Sequence, residues 1–141
     1  MVPGMRSKAF SIAIIASCQV AAMSLWFSAS AVLPALTAQF RLTPFAQAAL
    51  TSSVQLGFVV GCLASALLGL PDRVDPRRLF SLAAIAGAVA NAGLLAIDPS
   101  SGGALALRTV TGVCMAGIYP VGMKLASTWA KGDMGLMVGI L

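Results

Sequence analysis

The stretch GLPDRVDPRRLF, residues 69–80, interrupts a chain that is otherwise almost free of charge. It contains five charged residues: Asp72, Arg73, Asp75, Arg77 and Arg78. The runs on either side, residues 45–70 and 79–97, contain none. Its proline and glycine residues are typical of turns. A short polar turn between two long uncharged runs indicates a connection between two helices that cross a membrane.

The composition excludes an ordinary water-soluble domain. Hydrophobic residues make up 59% of the chain and charged residues 9%, and the mean hydropathy is +0.95. A soluble domain carries roughly 25% charged residues. The net charge of +5 does not indicate a nucleic-acid partner, because the basic residues lie at the ends of apolar runs and not on one face. We therefore expect the lipid bilayer as a partner, and no nucleic acid.

The residue types needed for a metal site or for catalysis are scarce. The chain has no histidine, and Cys18, Cys62 and Cys114 lie singly in separate apolar runs. This pattern does not indicate a disulfide framework or a zinc site. No carboxylate lies inside an apolar run, and no nucleophile and base are paired. The sequence therefore predicts no cofactor, no metal, no catalytic residue and no enzyme activity.

Four apolar runs are long enough to cross a bilayer, which takes about 20 helical residues. They cover residues 10–36, 45–70, 79–97 and 103–126. Their length and their content of Ala and Leu favour helices over strands. A further apolar segment, residues 133–141, is expected to begin a fifth helix that is cut short. The predicted fold is thus an all-α integral membrane protein with four transmembrane helices and the start of a fifth.

The basic residues indicate how the helices are oriented. Arg6 and Lys8 precede the first run, Lys124 and Lys131 lie at or after the end of the fourth, and the three arginines of residues 71–78 lie between the second and third. All of these positions fall on one side of the membrane, and the connections on the other side contain only one basic residue, Arg41. The positive-inside rule assigns the basic side to the cytoplasm. Residues 1–9 and 71–78 are therefore predicted to be cytoplasmic. A signal peptide was the alternative for the N-terminus, but the first apolar run is too long for one.

The connection at residues 69–80 resembles a motif of the major facilitator superfamily of transporters. That motif is close to G-x-x-x-D-R-x-G-R-R and joins the second and third spans. The matching positions here are Gly69, Asp72, Arg73, Arg77 and Arg78. Gly69 stands one place late, and Asp-Pro replaces the usual glycine. The resemblance implies that Asp72 and the following arginines switch conformation by tying the cytoplasmic helix ends together in the outward-open state.

The fourth run adds R-x-x-x-G, another pattern of the same superfamily, at Arg108 and Gly112. The stretches WFSASAVLPAL and VQLGFVVG are similar to the nitrate/nitrite- and cyanate-transporter branch. The resemblance implies twelve spans and secondary transport of a small molecule or ion by alternating access, in the inner membrane. The chain is then expected to be an N-terminal portion that is inactive without the remainder of the transporter.

The candidate substrate-binding residues lie in the first and fourth spans. Gln19 and Trp26 share a helix face, as do Arg108, Met115 and Tyr119. The resemblance implies that both spans line the central cavity. Arg108 has three interpretations: it extends to the outer surface, pairs with an acid in the remainder of the transporter, or faces a cavity that accepts anions. An anion is therefore one candidate for the solute.

Small residues and one proline predict how the spans pack. Gly57 and Gly61 form a G-x-x-x-G pair, which allows two helix backbones to approach closely. Gly112 is expected at a helix contact as well. Pro120 should kink the fourth span, because it cannot donate a hydrogen bond to Ala116.

Two other functions are alternatives to transport by this superfamily. A four-helix multidrug exporter also has four spans, but such proteins depend on a glutamate in the first span, and this chain has no glutamate. A membrane scaffold or partner subunit that transports nothing is the alternative in a different class. It would be favoured if the chain copurified with a separate membrane protein.

Overall fold

The computed structural model describes residues 3–130 and 132–140, and this part of the chain is built from helices joined by short turns. Lys131 and the outer residues of the segments predicted at 1–9 and 133–141 lie outside the described ranges. The helices are α1 (Pro3–Phe40), α2 (Pro44–Leu68), α3 (Leu70–Arg73), α4 (Pro76–Gly93), α5 (Gly102–Met115), α6 (Tyr119–Ser127) and α7 (Met134–Ile140), and a 3₁₀ turn (Leu94–Ala96) extends α4.

Within the described ranges, four stretches of helix are long and apolar enough to span a membrane. They are Lys8–Phe40, Pro44–Leu68, Pro76–Ala96 and Gly102–Ser127. Many large apolar side chains on these spans are exposed, Leu67 and Leu95 among the most. An exposed apolar surface of this extent suits lipid and not water. The fold is an all-helical membrane fold, as the apolar runs predict.

The helices extend beyond the apolar runs that predict them. The run at 10–36 lies within α1, which is helical from Pro3 and continues through Pro34 to Phe40. The third span begins at Pro76, whereas its apolar run begins at residue 79. The difference arises because hydropathy marks the apolar core of a span, whereas caps and turns set its ends.

The connection at residues 71–78 is largely helical and contains little loop. Gly69 ends α2 in the left-handed conformation, with φ of 60°, which glycine adopts without strain. Leu70–Arg73 then form the short helix α3. Asp75 caps α4 by accepting hydrogen bonds from the backbone N–H groups of Arg77 (2.8 Å) and Arg78 (3.3 Å). Pro76 occupies the first turn, where its missing N–H costs nothing.

The fourth span consists of two helices. Helix α5 ends at Met115, and α6 begins at Tyr119. The break lies where Pro120 predicts one, since Pro120 has no N–H to donate to the carbonyl of Ala116. It separates the side chains of Met115 and Tyr119 onto two helices while keeping them on one side of the span.

Helices α2 and α5 make the closest crossing in the fold. A methyl group added at Gly57 would collide with the backbone carbonyl of Thr109, and one added at Gly112 would collide with that of Val54. At Gly61 it would lie 2.8 Å from the carbonyl oxygen of Val113. Glycine is therefore required on both helices, and backbone packs against backbone as in G-x-x-x-G contacts.

Candidate functional site

The first, second and fourth spans enclose a small pocket. Its volume is about 170 Å³. The lining residues are aromatic or carry thioethers: Met23, Trp26, Phe58, Met115 and Tyr119. Met115 is fully buried at the base, whereas Tyr119 is 39% exposed and leaves the pocket open on its side. Tyr119 is thus the most exposed residue of the lining.

Helix geometry explains why these side chains converge. Met23 and Trp26 are three residues apart on α1, so they lie on one face. The break before Tyr119 lets Met115 and Tyr119 approach the pocket from consecutive helices. From α2, Phe58 packs edge-to-face on Trp26, with ring centroids 5.2 Å apart and planes at 77°. Edge-to-face packing is a favoured arrangement for two aromatic rings.

Arg108 is fully buried and donates to backbone carbonyls of two other helices. Its Nη2 donates to Trp26 O at 2.9 Å, its Nη1 to Leu25 O at 3.1 Å and its Nε to Leu50 O at 3.4 Å. Because the side chain has no exposed surface, the interpretation that it extends to the outer surface is wrong. The guanidinium joins the middle of α5 to α1 and α2.

Two polar side chains complete the surroundings of the guanidinium. Arg108 Nη1 lies 3.4 Å from both Ser28 Oγ and Asn91 Oδ1. The hydroxyl of Ser28 is 2.8 Å from Asn91 Oδ1, to which it can donate. Asn91 of the third span thus belongs to a hydrogen-bond network with Ser28 and Arg108.

The charge of Arg108 is compensated by dipoles. Among the residues that the structure describes, the ion pairs are Lys8 with Asp133 and Lys124 with Asp72, and neither involves Arg108. A buried cation needs hydrogen bonds that replace water. Here carbonyl and amide oxygens provide them, and the cation remains fixed because arginine does not lose its proton in proteins.

Gln19 is buried without a hydrogen bond at either end of its amide. Its side chain has no exposed surface, and within the described part of the chain neither Oε1 nor Nε2 has a partner. The amide lies against Gly122 of α6, where an added methyl group would strike Oε1. A buried amide without partners costs about 1–3 kcal/mol, so this contact between α1 and α6 is costly in the observed conformation.

The acidic residues of the charged connection have separate roles. Asp72 Oδ1 accepts a hydrogen bond from Lys124 Nζ at 2.6 Å, and the same ammonium donates to Pro71 O at 2.7 Å. The hydrogen bond and charge of Lys124 hold the pKa of the exposed Asp72 carboxyl below its usual value. Asp75 caps α4 instead. Asp72 therefore joins the connection to the end of the fourth span.

The arginines of the connection remain exposed. Arg73, Arg77 and Arg78 form no ion pair within residues 3–130 and 132–140. On the same side of the membrane, Lys8 binds both carboxylate oxygens of Asp133, at 2.7 and 3.0 Å. Lys8 and Lys124 are therefore paired, whereas Arg73, Arg77 and Arg78 are exposed.

The family model of the Major Facilitator Superfamily matches residues 15–141 of the chain. The chain belongs to this superfamily. No curated protein and no solved structure matches the chain. Members of the major facilitator superfamily are in general membrane transporters and not enzymes, so the chain is a multi-pass membrane protein of a transporter family.

Within this major facilitator chain, the predicted substrate residues fall into two groups. Trp26, Met115 and Tyr119 line the pocket together. Arg108 and Gln19 are fully buried outside its lining. To reach a solute, Arg108 would have to leave the carbonyls that it now contacts.

The sequence alone does not predict three of these contacts. They are the contact of Phe58 with Trp26, that of Asn91 with Arg108 and that of Lys124 with Asp72. A polar residue in an otherwise apolar span was the available signal for Asn91. A lysine near the end of the fourth span was counted only for topology, although it lies on the same side as Asp72. Nothing in the sequence distinguishes Phe58 from the other apolar residues of α2.

Proposed function

We propose that this chain forms one side of a secondary transporter that moves a small solute by alternating access. The observation that carries the proposal is the convergence of Trp26, Met115 and Tyr119 on one open pocket between the first and fourth spans. Further spans would close the pocket from the exposed side of Tyr119. These four spans alone are then expected to be inactive.

We assign different roles to the two groups of candidate residues. Trp26, Met115 and Tyr119 contact the solute. Arg108 positions the wall that carries Trp26, because its Nη2 donates to the carbonyl of that residue at 2.9 Å. Gln19 would gain hydrogen-bond partners when α1 and α6 move apart, which supports a role in the change of state.

The proposed location is the inner membrane, with the N-terminus and the charged connection in the cytoplasm. The charge distribution supports this orientation. Lys8, Lys124, Arg73, Arg77 and Arg78 lie on one side of the four spans, whereas the connections on the other side contain Arg41 as their single basic residue. Basic residues of short loops are retained in the cytoplasm.

The Asp72–Lys124 contact is the proposed conformational latch. It joins the connection between the second and third spans to the end of the fourth span. Both side chains are substantially exposed, so the contact contributes little to folding. Its loss should instead alter the balance between two states that differ by a small free energy.

A cysteine at Tyr119 tests alternating access without knowledge of the solute. In liposomes and in a background without the native cysteines, an impermeant thiol reagent is applied from either side. Asp72→Asn should increase labelling of Tyr119→Cys from the cytoplasmic side and decrease labelling from the outer side. If Asp72→Asn changed the labelling of Tyr119→Cys equally from both sides, or left it unchanged, the proposed latch would not control access to the pocket.

Asp75→Asn is the matched control for this experiment. It also removes one negative charge from the connection, but asparagine is as good a helix cap as aspartate. Asp75 contacts backbone N–H groups of α4 and no lysine. Labelling of the cysteine at position 119 should therefore stay at the parent level from both sides.

A small anion is a second candidate solute, favoured by one observation. Arg108 has no carboxylate within ion-pair distance in the described residues. Nitrate and cyanate uptake by proteoliposomes tests this candidate, first with the longest available form of the transporter and then with this chain alone. Uptake that disappears in Arg108→Gln would support it. No uptake of either anion would leave Arg108 with the positioning role alone.

A further inference from the structure

We propose that the pocket binds an uncharged, benzene-sized ring of the transported solute. This inference rests on the proposed transport function and specifies the class of solute. It is carried by three properties of the pocket: its size, the chemistry of its lining and the fixed positive charge behind one wall.

The size of the pocket matches one aromatic ring. Its volume is about 170 Å³. An apolar cavity of about 150 Å³ in another protein stays dry and binds benzene. A single ring therefore fills the space, whereas two fused rings would have to extend past Tyr119 into the open side.

The lining offers the contacts that an aromatic ring prefers. Trp26 and Phe58 form a rigid edge-to-face pair, with ring centroids 5.2 Å apart. Met23 and Met115 add polarizable thioethers, which make favourable contacts with aromatic rings. A ring in this pocket would thus be surrounded by aromatic and thioether groups, with Tyr119 at the opening.

The charges around the pocket disfavour an ionised group. No lining side chain is charged. Arg108 places a fixed cation behind the wall, within hydrogen-bond distance of the Trp26 carbonyl, so a cationic solute would meet repulsion without a carboxylate to balance it. An anion would lose its water without reaching the guanidinium, whose described donors point to carbonyls. Burial of an unpaired charge is costly for either sign.

Contact quenching of tryptophan fluorescence tests the inference. The chain has two tryptophans, so Trp129→Phe leaves Trp26 in the pocket and Trp26→Phe leaves Trp129 in a separate cluster with Ile12 and Met137. The probe is 4-iodobenzyl alcohol, with 4-iodobenzoate and 4-iodobenzylamine as its charged analogues. We expect saturable quenching of Trp26 and only weak, unsaturated quenching of Trp129. The charged analogues should bind Trp26 roughly tenfold more weakly or worse.

A filling variant provides the second measurement. Met23→Phe adds bulk inside the pocket and should abolish saturable quenching, whereas Met123→Phe makes the same change outside the lining and should not. Equal quenching of both tryptophans, or stronger binding of 4-iodobenzoate than of the alcohol, would overturn the inference.

The two proposals can fail separately. The quenching experiment measures binding and requires no transport, so its failure leaves the labelling test of alternating access unaffected. Conversely, if the ring binds saturably but Asp72→Asn leaves the labelling of Tyr119→Cys unchanged, that result would contradict the latch mechanism and would leave the ring-binding inference intact.

Discussion

The close crossing of α2 and α5 gives a prediction with a defined magnitude. In Gly57→Ala the new methyl group would lie 2.8 Å from the carbonyl carbon of Thr109, and in Gly112→Ala it would lie 2.8 Å from the amide nitrogen of Phe58. Ordinary contact begins at 3.4 Å. The carbonyl oxygens of Thr109 and Val54 would lie closer still, and because backbone atoms cannot rotate away, the two helices must separate by more than the roughly 0.6 Å between 2.8 and 3.4 Å.

The expected cost follows from two opposing effects. Overpacking of this kind costs about 1–3 kcal/mol. Replacement of glycine by alanine inside a helix returns roughly 0.5–1 kcal/mol. The difference between these ranges is about 0–2.5 kcal/mol, and because the nearest contacts are backbone carbonyl oxygens we expect each variant to lower the free energy of unfolding by roughly 1–2.5 kcal/mol. The double variant should cost less than the sum, because one separation of the helices relieves both collisions.

Unfolding in mixed micelles, followed by far-ultraviolet circular dichroism against SDS fraction, measures this cost. Gly102→Ala is the matched control, because it lies on the same helix α5 and an added methyl group there meets nothing within 4 Å. It should unfold at or slightly above the parent midpoint. If Gly57→Ala and Gly112→Ala unfold at the same SDS fraction as Gly102→Ala, the close backbone contact between α2 and α5 is wrong.

Three further changes have expected outcomes in the same unfolding assay. Arg108→Lys should lower stability by about 2 kcal/mol, because the charge stays buried while most of the bonds to carbonyls of α1 and α2 are lost; a parent-like midpoint would contradict the positioning role. The stabilising contribution of Asp72 should be complete above about pH 4 and lost as the pH falls through its lowered pKa, since a depressed carboxyl pKa stabilises the ionised folded form. The small difference between the parent and Asp72→Asn should therefore shrink as the pH falls below about 4, and a difference that does not shrink with falling pH would exclude the Lys124 contact as its cause. Thr43→Ala should cost about 1 kcal/mol, because the Thr43 hydroxyl caps α2 by accepting from the backbone N–H of Ala46.

The sequence predicts the fold because lipid imposes simple requirements. A span needs about 20 apolar helical residues, so four apolar runs of that length are sufficient to indicate four spans. The break in the fourth span follows from Pro120 for an equally local reason, since proline lacks an N–H. The predicted ends of the spans differ from the observed ends, because the cap at Asp75 and the helical turn Leu70–Arg73 do not depend on hydropathy.

The candidate site was only partly predictable. Helical spacing correctly places Trp26 on one face of α1, and Met115 and Tyr119 on one side of the fourth span, but it does not specify what lies opposite. Phe58 reaches Trp26 from α2, which depends on the crossing geometry. The direction of Arg108 depends on which carbonyls of other helices lie within reach. Such contacts between helices distant in sequence have no local signature.

Single cysteines at Ser100 and Arg77 test the four-span topology on which the latch and the transport mechanism depend. Both side chains are exposed and lie in different connections. In intact cells, and without the native cysteines, an impermeant maleimide should label Ser100→Cys, whereas Arg77→Cys should react only after the membrane is permeabilised. Labelling of Arg77→Cys from outside intact cells would contradict a cytoplasmic Asp72–Lys124 contact and the orientation proposed for the transporter.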